Sequence, residues 1–566
     1  MTNGSNAPRY PRARRIAVEA GGVFTAVGVG LILLRHLVAG DWRQYLYIDG
    51  DSVVLALLRE SFDKGEPWQW VFSTQNFFFP EAPFYLLSSL LGGDPPVAYS
   101  INVVLNVVVL YVLLRLIGGE LATGRRIPPA LVVLVSTLVV LLYAGFVLTE
   151  TVASPNRSGI ATLYLLTTYY YGVTVGGLAL LFLILRARRL LAPSELRAAL
   201  RRPALLVTLA VIVLLVALVT FSNLLFLLEV LAPLLLTLVA LVFMGRYAWR
   251  EFGVLAGAIG IGVMAAFVLR QVFASVFRAG VGGYVAVDAI PTSVRNLILT
   301  VVETLDLPFG GVKLGVLVVL HTAATVVVLV ALYAVARPRL AERIDDRTVL
   351  IAGFVFVSAA SVLVGQVMTG ATASRYLQVL YLFPLLVAML AGLALAAWVA
   401  RREALLGVVP RLALAAVAAA AALGVVVGAA IGIPSILSRI SEPVADVSCL
   451  DDFVGDSNLN GVGTFWLARP YQVYGAQSGQ VLQVSPDFTI QAWMVNLASY
   501  DQAEFSYVLL DSTGILPAET IEGELGEPAG IVDCGSFSIY DYRGTDGERI
   551  LTERIRASLA ELRAGY

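Results

Sequence analysis

Long apolar runs separated by short polar breaks dominate the chain from its start to about residue 433. Runs of this length suit helices that cross roughly 30 Å of hydrocarbon. They predict spans near 17–38, 98–117, 129–148, 163–185, 204–222, 224–244, 253–274, 314–335, 349–368, 377–399 and 410–433. The stretch from 204 to 244 is one apolar block interrupted only by Ser222, Asn223, Glu229 and Pro233, and it reads as a tight helical hairpin. Two shorter patterns, SVVLALLRESFDKG and PFYLLSSLLGG, set apolar residues at helical spacing against polar ones and predict amphipathic helices lying in the membrane interface. Between them, WQWVFSTQNFFFPEAP has the Trp and Phe density of a headgroup belt. Beyond about residue 434 the period changes. QVLQVSP, FSYVLLDS and SFSIYDYRG alternate as strands do, and ERILTERIRASLAELR returns to a helical period. The expected fold is therefore mainly α: a polytopic transmembrane bundle of about eleven spans over residues 1–434, with a first outer loop at 39–97 and a small α/β or α+β C-terminal domain at 435–566.

Composition agrees with this pattern, at 58% hydrophobic and 14% charged residues, far from a soluble domain. The net charge of -1 conceals a segregation of sign. PRYPRARR, RARRLLAPSELRAALRR, GRYAWRE, ARPRLAERIDDR and ARRE fall in alternate loops, while the other loops and the C-terminal region are acidic. The positive-inside rule then predicts a multi-pass cell-membrane protein with a cytoplasmic N-terminus and an extracytoplasmic C-terminal domain. The first span has a signal-like basic flank, but its long core and the lack of a small-x-small cleavage site read as an anchor. The two cysteines, Cys449 and Cys534, both lie in the predicted outer domain. A disulfide there would contribute on the order of 4 kcal/mol by loop closure, the alternative being two buried thiols. No feature points to a nucleic-acid partner.

The most suggestive chemistry is DGD, in which Asp49 and Asp51 stand one residue apart at the outer end of the first span. Gly50 permits a bend that converges the two carboxylates, and two close carboxylates beside lipid repel, which raises the pKa of one. A general base or a pair of metal ligands needs such groups. A structural reading also fits, because DGDS ahead of VVLALLRE is a good helix N-cap with Asp51 or Ser52 accepting backbone N–H groups.

The arrangement resembles the GT-C class of glycosyltransferases, which use polyprenyl-phosphate-linked sugars. Four stretches carry the likeness: Asp49-Gly50-Asp51, FFFPEAPFY around Glu81, ASRYLQVLYLFP with Ser374-Arg375-Tyr376 opening a late span, and VGTFWLARPYQVYGAQSGQVLQVSP with CGSFSIYDY near the C-terminus. The resemblance implies an inverting transferase of the mannosyl- or arabinosyltransferase type, moving a sugar from a polyprenyl phosphate to a glycan, lipid or protein acceptor on the outer face. It also implies Asp49 and Asp51 as base or as ligands of Mg2+ or Mn2+, with Arg375 and Tyr376 on the donor phosphate. Arg278 and Arg295, in the segment FRAGVGGYVAVDAIPTSVRNLILTVVETLDLPFGGVK with Arg270 and Lys313 at its flanks, are secondary phosphate candidates.

Glu81, Tyr170 and Asn223 are candidate substrate contacts, Tyr170 because an aromatic face suits a sugar ring and Tyr169–Tyr171 fall near the same surface. Ionisable and amide groups within spans invite functional hypotheses, and Glu229, His321, Asn102 and Asn106 qualify. For His321 and the asparagines an interhelical hydrogen bond is the plainer reading. Two rival functions stand beside transfer. A transporter or flippase predicts charges near the bilayer midplane and paired broken helices, and a noncatalytic envelope-assembly protein makes the paired acids incidental.

Overall fold

The computed structural model describes residues 12–125, 127–153, 158–191, 196–277, 286–370, 373–406, 409–442, 447–457, 459–476, 481–501, 504–511 and 515–564. Among them nine helices are long and apolar enough to cross a membrane: Arg15–Ala39, Pro95–Ala122, Pro129–Leu148, Pro203–Ser222, Trp249–Val272, Gly310–Val335, Asp346–Thr369, Arg375–Arg401 and Ala421–Ser441. Several expose aliphatic side chains, such as Ile261, Met264 and Val268 on one helix and Val318, Val319 and Leu329 on another. Lipid can cover such faces as a core would. Where helices approach closely, small residues allow it. A Cβ on Gly262 would lie 2.8 Å from the carbonyl oxygen of Val213 on the neighbouring helix.

The other two expected spans take a different form. The run at 163–185 becomes helical only at Tyr171, as Tyr171–Leu191. Residues before it form a 3-10 turn, Thr162–Leu165, and an irregular stretch in which Tyr170 has φ 67°. Tertiary partners hold this stretch out of the helix: the Gln378 amide donates to the Tyr169 carbonyl, and Thr168 Oγ1 donates to the Asp51 carbonyl at 2.8 Å. The run at 224–244 opens as a π turn, Leu227–Leu231, before the helix Ala232–Phe243. Ser358 and Ser361 of an adjacent helix donate to the carbonyls of Glu229 and Leu228 at 2.7 and 2.8 Å, satisfying groups within the π turn.

Of the two helices expected to lie in the interface, the first is covered by protein. Helix Val54–Asp63 buries Val54, Leu55, Ala56, Leu57 and Leu58. It packs against helix Phe465–Tyr474 of the C-terminal region. Only Glu81–Gly92 keeps an exposed leucine face, with Leu86, Leu87, Leu90 and Leu91. The expected aromatic belt is also mostly interior: Trp70, Phe72 and Phe77 are buried. Strand β1 (Trp70–Val71) runs through this stretch.

Among the described residues, six further strands lie in the C-terminal region: β2 (Gly461–Gly463), β3 (Val481–Gln483), β4 (Val495–Asn496), β5 (Tyr507–Asp511), β6 (Gly530–Asp533) and β7 (Phe537–Asp541). Five of them form a mixed sheet in the order β3-β2-β5-β7-β6. β2 is parallel to β3 and β5, whereas β5–β7 and β7–β6 are antiparallel. Helix Phe465–Tyr474 connects the parallel strands β2 and β3 as a βαβ unit. Alternation along β5 divides the packing between two faces. Val508 joins Val462, Leu551 and Ile555 on one face, and Tyr507 and Leu509 join Ala468, Phe537 and Ile539 on the other. Helix Asp546–Ala564 closes the module, as the sequence period predicts. Cys449 and Cys534 form a disulfide with Cα atoms 5.8 Å apart, joining the helix Ser448–Val454 to the end of β6.

The module is bonded to the bundle. β1 pairs antiparallel with β4, in register Trp70↔Asn496 and Val71↔Val495. The Asn496 amide donates to Ser61 Oγ at 3.0 Å and to Glu66 Oε2 and the Pro67 carbonyl at 3.1 Å. Tyr474 Oη donates to the Tyr47 carbonyl at 2.7 Å.

Candidate functional site

DGD lies where the first loop, the irregular stretch before Tyr171, the start of the Arg375 helix and the C-terminal module meet. Helix Trp42–Tyr47 ends as Asp49 N–H donates to the Gln44 carbonyl at 3.0 Å. Asp49 Oδ1 then accepts the Asp51 N–H at 3.0 Å, an Asx turn that folds the chain back. Ser52 N–H donates to the Asp49 carbonyl at 2.9 Å. The N-cap reading of DGDS is therefore corrected. Helix Val54–Asp63 has Val53 at its N-cap with no side-chain cap bond, and Ser52 Oγ donates instead to the Tyr45 carbonyl at 2.5 Å. The turn needs glycine for a packing reason, since a Cβ on Gly50 would sit 2.8 Å from the Phe465 ring and 3.1 Å from the Phe465 carbonyl oxygen.

This geometry turns both carboxylates inward. Asp49 Oδ1 also accepts the Tyr169 hydroxyl at 2.8 Å. Asp51 Oδ2 lies 3.5 Å from Arg375 Nη1, with 16% and 27% of the two side chains exposed, so the pair remains reachable. The Arg375 guanidinium carbon stands 5.9 Å from the Tyr170 ring centroid and 5.7 Å from that of Tyr376. These two rings stack at 5.6 Å, and Phe77 lies 5.6 Å from Tyr170 on its other flank. Asp49, Asp51, Tyr170, Arg375 and Tyr376 are thus brought into one cluster.

The electrostatics follow from burial. Burial first, and the Asp51 charge second, raise the Asp49 carboxyl to about 7, with Tyr169, the Asp51 N–H and Arg375 acting in the opposite direction. Burial also raises Asp51, opposed by Arg375 and then by Arg469. Arg469, on helix Phe465–Tyr474, is fully buried, and none of its three guanidinium nitrogens has a hydrogen-bond partner. Its guanidinium carbon lies 4.6 Å from the Phe465 ring centroid. Burial lowers it to about 10, with Asp51 foremost in sustaining its charge.

The remaining candidates lie apart from this cluster or outside the described residues. Arg278 belongs to the latter group. Arg295 is exposed on helix Ile290–Asp306 and takes no part in the hydrogen bonds and ion pairs of the cluster. Asn223 terminates helix Pro203–Ser222 and its side-chain oxygen accepts the Leu225 N–H at 3.0 Å, which is a turn role. Glu81 is buried and accepts the Gly172 N–H at 3.0 Å; burial raises it to about 7. Its carboxylate engages the start of the Tyr171 helix, not Arg375. Arg270 donates to the Phe221 and Thr74 carbonyls at 2.6 and 2.8 Å, joining the first loop to the bundle. Lys313 forms a buried ion pair with Glu150 at 2.7 Å. His321 Nε2 meets the Leu380 carbonyl at 3.0 Å, and the Asn106 amide meets the Tyr164 carbonyl at 3.2 Å, as interhelical bonding predicts.

Sequence reasoning did not single out Arg469, Thr168, Gln378 or Glu150. The available signal for Arg469 was its neighbourhood: Phe465, Trp466, Gln472 and Val473 surround it at helical spacing with no acid among them.

A divalent cation would have Asp49 and Asp51 as its protein ligands. Among the described residues no group of three or more His, Cys, Asp and Glu side chains could hold a metal ion. Two carboxylates suffice for magnesium when water and phosphate oxygens complete its shell. Comparison with family models, curated proteins and solved structures returns no match, so the reading of this site stands on its geometry.

Proposed function

We propose that the chain is an inverting membrane glycosyltransferase of the cell envelope. It takes a sugar from a polyprenyl phosphate and transfers it to a glycan, lipid or protein hydroxyl, with the DGD end of the bundle facing out of the cytoplasm. The observation that carries this reading is the approach of Arg375 to Asp51 at 3.5 Å beside Asp49, in a pair that stays partly open. A base and a phosphate-binding cation are the two groups that single displacement at an anomeric carbon requires.

Asp49 is the base. With its carboxyl raised to about 7, it is ionised in part at neutral pH and basic enough to take a hydroxyl proton. Tyr169 and the Asp51 N–H fix one carboxylate oxygen, which orients the other. Asp51 holds Arg375, whose fork can grip phosphate oxygens bidentately. The acceptor oxygen forms the new bond at the anomeric carbon, the bond from that carbon to the phosphate oxygen breaks with its electrons, and the proton passes to Asp49. In the alternative arrangement, the two aspartates would hold a magnesium or manganese ion that would supply positive charge to the leaving phosphate, and Asp49 would then be a ligand in place of the base. Tyr170 and Tyr376 present aromatic surface beside the guanidinium, suited to a sugar ring.

An apolar cavity of about 450 Å³ supports a lipid donor. Leu377, Leu380 and Tyr381, in the turns directly after Arg375, line it with Leu314, Leu317 and Val318. A prenyl chain lying there would bring its phosphate toward Arg375. The test is transfer from a radiolabelled polyprenyl-phosphate sugar by the full chain in membranes. Loss in Asp49→Asn and Arg375→Ala, with folding intact, supports the proposal; undiminished transfer in both removes the site assignment. No transfer by wild type with any donor removes the activity.

A further inference from the structure

We propose that Arg469 is a second phosphate-binding cation, contributed by the C-terminal module, that with Arg375 selects the doubly charged phosphomonoester left when the sugar departs. The inference rests on the transferase reading above and goes beyond it, because it assigns the module a part in the chemistry.

A guanidinium deprived of water normally has its N–H groups bonded, since an unpaired buried charge is among the least favourable arrangements in a protein. Arg469 departs from that rule at all three nitrogens. Its contact with the Phe465 ring at 4.6 Å covers one face and satisfies no N–H. Phe465, one helical turn earlier, is the residue pressed against Gly50, so the helix seats Arg469 beside the DGD turn. Asp51 and Asp49 are within electrostatic reach of the guanidinium, yet neither accepts a hydrogen bond from it. Arg469 is therefore supplied with compensating charge but left without an acceptor, as a residue awaiting a ligand's oxygen atoms would be.

The charge balance of the reaction identifies the ligand class. A polyprenyl-phosphate sugar is a phosphodiester with one negative charge. When the acceptor oxygen displaces phosphate, the electrons of the broken carbon–oxygen bond remain on the phosphate, and the product is a monoester with a second negative charge. The acceptor's proton goes to Asp49. Arg375 already matches the diester, and a second guanidinium matches the charge that appears only as the bond breaks. Interactions of that kind accelerate the chemical step because they strengthen toward the transition state.

The experiment measures binding to the full chain in nanodiscs by competition. Its probes are a short-chain prenyl monophosphate, the methyl ester of that phosphate and inorganic phosphate. Wild type is expected to bind the monophosphate about tenfold more tightly than its methyl ester, the effect of one additional charge-assisted contact. Arg469→Met should abolish this preference, weakening the monophosphate about tenfold more than its methyl ester, and leave thermal stability equal or higher, because an unpaired buried charge has been removed. Arg469→Lys, which keeps the charge, should retain part of the preference. A preference that survives in Arg469→Met overturns the inference; so does a wild type without any preference, and in that case tight binding of the methyl ester leaves the transferase reading standing. If inorganic phosphate competes as well as the prenyl monophosphate and loses affinity in Arg469→Met, the anion seat is upheld and the lipid-donor reading falls.

Discussion

Two of the ion pairs that connect distant parts of the chain are built to different standards. Glu150 and Lys313 are closed: the side chains are 0% and 1% exposed and the contact is 2.7 Å. Both Glu150 oxygens are further occupied, by the N–H groups of Ala161 and Thr162 at 3.1 and 2.8 Å and by the Thr162 hydroxyl at 2.7 Å. Asp51 and Arg375 are longer and partly open, and Arg375 Nε is buried without a partner. A complete network gives a rigid joint, whereas an incomplete one keeps hydrogen-bonding capacity for something not yet there. The joint spans the turn before the Tyr171 helix and the helix Gly310–Val335, so it holds the site's surroundings without entering its chemistry.

The contrast can be broken first at the closed pair. Glu150→Gln leaves Lys313 buried beside a neutral group, and the expected loss is about 3–5 kcal/mol of stability in a thermal or denaturant melt in detergent. A Glu150→Gln, Lys313→Met double variant should recover much of it. At and beside the open pair, a transferase site predicts that the effect falls on rate. Asp49→Asn is expected to reduce sugar transfer about a thousandfold with little change in melting temperature, the scale of losing a general base. Arg375→Ala should lower transfer about a hundredfold, the scale of removing one charge-stabilising donor, and Arg375→Lys should restore only part.

Finer tests address the protonation of Asp49. Because burial and the Asp51 charge raise its carboxyl to about 7, the base is protonated below that pH and ionised above it. Transfer measured against pH should therefore rise about tenfold per unit below neutrality and level off above about 7. Tyr169→Phe removes a hydrogen bond that favours the ionised form, so the midpoint of that profile should move upward while the plateau falls only a few-fold.

The helices were legible because an apolar run of sufficient length reports its own fate; no distant partner is needed to read Pro129–Leu148. The β-strand period likewise located β3, β5 and β7, and the helical period the closing helix. Asp49, Asp51 and Arg375 stand out in the sequence because charge is scarce in so apolar a chain, and the structure brings them together. What local pattern did not contain was convergence. Tyr169 reaches Asp49 only because Gln378 and Thr168 hold residues before Tyr171 out of the helix that their hydrophobicity predicts. Arg469 resembles any arginine on an amphipathic helix until its surroundings are known. Helix Val54–Asp63 reads as interfacial because the sequence cannot tell a lipid surface from the face of another domain. Asn223 shows a related limit, since an amide that terminates a helix and one that meets a substrate have the same composition and the same apolar neighbours.

The pairing of β1 with β4 has a consequence for biosynthesis. Trp70 and Val71 emerge from the ribosome long before Val495 and Asn496, which complete their ladder. Until then the stretch beside DGD waits with its strand edge unmated. A polypeptide terminated before that point would lack both the partner strand and the Phe465 ring that lies against Gly50, and the carboxylates would be left unroofed.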